Sequence, residues 1–106
     1  MSVIRAHEAQ QREYRGITFE RMVVGTKSMV TKMHYVAGNH VPEHSHPNEQ
    51  SGYVISGRYR LRYGSREEIL QAGDSYSIPA DVPHSVEALE SGEILDVFTP
   101  PRADFL

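Results

Sequence analysis

The stretch NHVPEHSHPNEQSGYVISG, residues 39–57, places His40, His44 and His46 within seven residues of a chain that has six histidines in all. Side chains two apart on a strand share a face, so His44 and His46 would point the same way if both lie on one strand. Pro47-Asn48 reads as a turn, after which EQSGYVISG (49–57) begins a new strand. Glu49 and Gln50 are neighbours on that strand and must face opposite sides, so only one of them can join the histidines. A further candidate is His84, which follows Pro83 and opens another strand. The question set by this stretch is whether these side chains are simply solvated or form the lip of a metal site.

Outward from it, the chain reads as short segments rich in Val, Ile, Tyr and Thr and punctuated by glycine: 17–25, 28–38, 49–57, 58–64, 67–73, 74–79, 84–90 and 93–100. In RYRLRYG, Arg58, Arg60 and Arg62 alternate with Tyr59, Leu61 and Tyr63, the period expected of a half-buried strand. Pro79, Pro83, Pro100 and Pro101 cannot sit inside a central strand. Short strands at this spacing point to an all-β sandwich or barrel over residues 17–106. Ahead of it, residues 1–16 form a polar leader in which AHEAQQREY (6–14) is the one segment with a helical look.

A chain of 106 residues suits one domain. The absence of cysteine removes disulfides, thiolate nucleophiles and sulfur-ligated metal. Any metal must be held by imidazole, carboxylate or amide oxygen. A net charge of −3 without a basic run argues against nucleic acid as partner. The leader lacks the apolar core of a signal peptide, and no apolar run approaches the ~18 residues of a membrane span. A cytoplasmic protein with no membrane partner is the expectation.

At the other end, EILDVFTPPRADFL places Ile94, Asp96 and Phe98 on one face of a strand and Leu95 and Val97 on the other. A carboxylate at the centre of an apolar strand is costly to bury alone, so Asp96 needs a partner or a task. Pro100-Pro101 ends the strand and sets the direction of Arg102. Read as structure alone, Asp96 and Arg102 would pair with each other beneath the barrel mouth.

These residues resemble the cupin superfamily. Its first motif, Gly, five residues, His-x-His, three or four residues, Glu, six residues, Gly, reads here Gly38, His44, His46, Gln50 in the glutamate's place, and Gly57. Its second, Gly, five residues, Pro-x-Gly, two residues, His, reads Gly73, Pro79, Asp81 in the last glycine's place, and His84. The resemblance implies a double-stranded β-barrel, jelly-roll-like, with a divalent transition metal (Ni, Zn, Fe or Mn) held by His44, His46, Gln50 and His84. Many short cupins with such a stretch use the glutamine as ligand, and an amide oxygen can bind such a metal, though more weakly than a carboxylate. His7 and His40 read as solvated side chains, His34 as barrel packing or a supporting residue, and Glu49 as outward-facing.

The tail narrows the resemblance to the KdgF-like pectin-degradation proteins, which linearise unsaturated uronates and whose chains end in a very similar way. The resemblance implies that Asp96, Phe98 and Arg102 line the active site and that the ligand is a small anionic sugar acid. A metal with only neutral ligands keeps its full charge, which favours an anionic substrate and disfavours the oxygen activation of cupin dioxygenases. The rival from another class is a non-catalytic metal- or sugar-binding module. A homodimer is expected by resemblance.

Overall fold

A computed structural model describes residues 2–106. Its strands are β1 (Gln10–Tyr14), β2 (Ile17–Val24), β3 (Met29–Tyr35), β4 (His40–His44), β5 (Glu49–Val54), β6 (Arg58–Tyr63), β7 (Arg66–Gln71), β8 (Ser75–Ile78), β9 (His84–Glu90) and β10 (Gly92–Thr99). Alternation fixes which face each strand buries. On β3, Met29, Thr31, Met33 and Tyr35 are buried while Val30, Lys32 and His34 lie on the other face. On β6 the buried residues are Tyr59 and Leu61, and on β10 they are Ile94, Asp96 and Phe98, as the sequence pattern predicts.

The strands pair antiparallel in two sheets, one of order β1-β2-β3-β10-β5-β8 and one of order β4-β9-β6-β7. Their inner faces meet in one apolar core. Phe19, Met33, Val54 and Ile94 come from the first sheet, Val41, Tyr59, Leu61 and Ala88 from the second. Tyr35 and Tyr59 meet edge-on across the layers, ring centroids 5.2 Å apart. This is the double-stranded barrel that the motifs imply. No helix among the described residues is long and apolar enough to cross a membrane.

The start of the chain differs from the sequence reading. Only Ala6–Glu8 is helical, a single 3-10 turn, and Gln10–Tyr14 is a strand. A two-residue loop, Arg15 and Gly16, joins it to β2 with φ of 52° and 81°, the paired left-handed geometry of a tight hairpin turn. As an edge strand β1 leaves Gln10, Gln11, Arg12 and Glu13 exposed, so no alternation marks it in the sequence. The polar leader thus supplies part of the larger sheet.

Asp81, which stands where the second motif has glycine, has φ of 65°. The motif position calls for the left-handed conformation, and aspartate is among the few residues that tolerate it. Its N–H donates to the carbonyl of His46 at 2.9 Å, tying the two motif loops together.

Candidate metal centre and pocket

His44 ends β4 and His84 begins β9, and the two are direct cross-strand partners. His46 lies beyond the strand, in the turn before β5. It therefore reaches the same side as His44 through the turn and not through strand alternation. Asn48, only 4% exposed, holds that turn by donating its side-chain N–H to the carbonyl of Pro100 at 2.7 Å. Ring centroids stand 4.4 Å apart for His44 and His84, 4.8 Å for His46 and His84, and 5.5 Å for His44 and His46. One nitrogen from each lies within 4.8 Å of the others.

The ring orientations share one logic. The Nδ1 of His44 donates to the carbonyl of Pro42 at 3.0 Å, that of His46 to Asn48 at 3.0 Å, and that of His84 to Val82 at 2.8 Å. A carbonyl oxygen can only accept, so in each neutral ring the proton sits on Nδ1 and Nε2 carries a lone pair. Outer partners of this kind are how ligating histidines are usually oriented. All three pKa values are lowered, first by burial, against these backbone bonds; the Arg102 charge adds to this for His44 and His46, and for His84, which falls to about 4, the neighbouring His44 and His46 add ahead of Arg102. The rings are thus neutral near pH 7, the state that binds metal.

Two lone pairs are left with no proton to share. The Nε2 of His84 is buried without a hydrogen-bond partner among the described residues. The Nε2 of His46 lies 3.1 Å from Oε1 of Gln50. If both atoms present lone pairs, that contact calls for a cation between them, and 3.1 Å suits two ligands each about 2.1 Å from one ion. The donor set of three imidazoles and one amide oxygen fits a borderline divalent metal. Glu49, the exposed neighbour of Gln50, faces away.

His44, Gln50, His84, Asp96, Phe98 and Arg102 line a single pocket, and His46 stands behind it against the Phe98 ring, centroids 5.7 Å apart. Asp96 is 3% exposed and accepts a 2.6 Å bond from the hydroxyl of Tyr76. Burial pushes its carboxyl up to about 6, although hydrogen bonds from Tyr76 and Gln50 and the charge of Arg102 pull the other way. Burial first, and then the Asp96 charge, holds the Tyr76 phenol well above its usual range.

Arg102 does not pair with Asp96. Its Nε donates to Asp104 at 2.9 Å and its Nη2 to the hydroxyl of Tyr14 at 3.3 Å. Its guanidinium sits among the rings of Phe105, Tyr14 and Phe98, at 4.2, 5.0 and 5.5 Å from their centroids. Three aromatic faces and one carboxylate hold the cation in place, although it is only 6% exposed.

The sequence reading did not single out Tyr14, Tyr76 or Phe105, which also line the pocket. Tyr14 lies in the leader, and nothing local announces that a hairpin brings it to the far end of the chain. His34 is on the outer face of β3, paired with Glu20 and, at 2.8 Å, with Glu93, so it neither packs the barrel nor supports the site. His7 and His40 are exposed.

Residues 31–98 match the cupin domain family. Over 80 residues the chain is 35% identical to the pectin degradation protein KdgF of Dickeya dadantii (strain 3937), covering 74% of this chain and 73% of that protein. It superposes on the structure of KdgF from Halomonas sp. with a TM-score of 0.91 and 26% identity, covering 100% of this chain and 99% of that one. An RmlC-like cupin from Shewanella frigidimarina NCIMB 400 has the same fold, with a TM-score of 0.92, 23% identity and coverage of 100% and 96%. With both motifs, the two-sheet barrel and the three-histidine cluster in place, the chain belongs to the cupin domain family and is a relative of KdgF.

Proposed function

We propose that the protein opens and linearises an unsaturated uronate or a similar small sugar acid, with a divalent transition metal at the three-histidine cluster. The observation that carries this reading is the convergence, in one pocket, of neutral imidazole lone pairs, a caged cation at Arg102 and a buried carboxyl at Asp96. The likeness to a protein named for pectin degradation supports it. When bound by His44, His46, His84 and Gln50, the metal supplies an electrophile that polarises sugar oxygens.

Arg102 binds the substrate carboxylate. Asp104 and Tyr14 already take its Nε and Nη2, so the carboxylate meets the end of the guanidinium that includes Nη1. In the reaction the anomeric hydroxyl loses a proton and the bond from ring oxygen to anomeric carbon breaks. The released enol takes a proton on its vinyl carbon and becomes a ketone, so the product is an isomer of the substrate. Asp96 moves these protons. A carboxyl at about 6 holds both protonation states in workable amounts near neutral pH.

The test is the absorbance of the conjugated enol in an unsaturated uronate released by a lyase. Metal-loaded protein should abolish it, and Asp96→Asn should slow the loss about 10²- to 10⁴-fold. Tight binding with no loss of absorbance would instead assign a binding module.

A further inference from the structure

Across the larger sheet, Asp96 on β10 is the partner of Gly52 on β5, and Gly52 is the partner of Tyr76 on β8. The three form one row on the inner face, and its middle member has no side chain. With strands about 4.8 Å apart, the outer two stand about 10 Å from each other across Gly52. The Tyr76 ring spans that gap, lying over Gly52 so that its hydroxyl reaches Oδ1 of Asp96 at 2.6 Å.

The fit leaves no room for any other residue at position 52. A Cβ there would lie 2.5 Å from Cε1 of Tyr76 and closer still to its Cζ and Oη, against about 3.5 Å for ordinary carbon contact. The overlap is with the far end of the tyrosine, so a methyl at 52 would displace the phenol and leave the strand in place. Gly52 does not have the left-handed φ that calls for glycine elsewhere in this chain. A glycine inside a strand costs stability and adds no packing. Its use here is the space it leaves.

We infer that Gly52 is a gap that seats the Tyr76 phenol on Asp96, and that Tyr76 is thereby a positioning residue that aims the Asp96 carboxyl into the pocket. The terminal torsion of an aspartate is broad, and a 2.6 Å bond from the Tyr76 hydroxyl fixes it. The catalytic consequence rests on the function proposed above; the structural device does not.

The test uses the metal-loaded full chain. Tyr76→Phe keeps the ring and removes the hydroxyl. It should lower kcat roughly 10- to 100-fold, the loss expected for one hydrogen bond to a charged group, with KM and metal content held. Gly52→Ala keeps the hydroxyl but should lower kcat similarly, and Gly52→Ala/Tyr76→Ser should be no worse than Tyr76→Ser. In melting temperature, Gly52→Ala should be costly beside the native Tyr76 and harmless in the Tyr76→Ser background, where the smaller side chain leaves the methyl its space.

A readout independent of turnover is the hydroxyl proton of Tyr76 in NMR spectra, which the 2.6 Å bond to Asp96 should protect from exchange and which its absence in Tyr76→Phe identifies. It should be lost in Gly52→Ala. Its persistence there, or wild-type kcat in Tyr76→Phe, would overturn the inference. If the wild type consumes no unsaturated uronate, the proposed function fails alone, and the hydroxyl signal and the melting temperatures still decide the role of Gly52.

Discussion

At the scale of single residues, the three-histidine cluster is built by what each imidazole cannot do. Backbone carbonyls hold all three Nδ1 protons, which turns three Nε2 lone pairs toward one another. Removing His84 takes away a ligand without opening the core, so His84→Ala should weaken metal binding by orders of magnitude, while His40→Ala should leave a full equivalent by elemental analysis. Gln50→Ala should lower metal affinity and Glu49→Ala should not, since alternation puts them on opposite faces. The reverse result would move the ligand and the neutral donor set with it. The two cupin motifs made His44, His46 and His84 legible in the sequence, although His46 joins the cluster through a turn and not, as strand period suggested, from the same strand as His44. Tyr76 was not, because its link to Asp96 depends on a row of partners joined through a glycine. The alternative pairing of Asp96 with Arg102 is displaced by nearer partners, Tyr76 for one and Asp104 for the other.

At the scale of elements, the two ends of the chain meet at the pocket. β1 brings Tyr14 to Arg102, and the 3-10 turn Ala103–Phe105 brings Phe105 to the rings of Tyr14, Phe19 and Phe98. Strands with one buried face, such as β6 and β10, were readable from their alternation. β1 was not, because an exposed edge strand has no apolar face to show. If β1 serves the site through Tyr14, then Tyr14→Ala should raise KM for the uronate with metal content unchanged. A lost cation–π contact is worth about 0.5–2 kcal/mol, so the rise should be roughly 2- to 30-fold. An unchanged KM would reduce β1 to a cover for the sheet edge.

At the scale of the molecule, core and site share residues. Phe98 is 2% exposed, packs in the core cluster, and touches His46, Arg102 and Phe105. Phe98→Ala should therefore cost about 3–5 kcal/mol in denaturant unfolding and also loosen the Arg102 cage. The barrel was legible as a whole because two motifs and the strand period agree on it, whereas the site's walls depend on which strands the barrel brings together. The central claim, a metal-dependent sugar-acid isomerase, is tested most directly on one preparation of protein. Enol absorbance of an unsaturated uronate is followed with the protein metal-loaded, stripped by chelator, and reloaded. The account predicts consumption by the loaded protein, its loss on stripping and its return on reloading. Turnover that survives complete removal of the metal, or none in any of the three states, would contradict it.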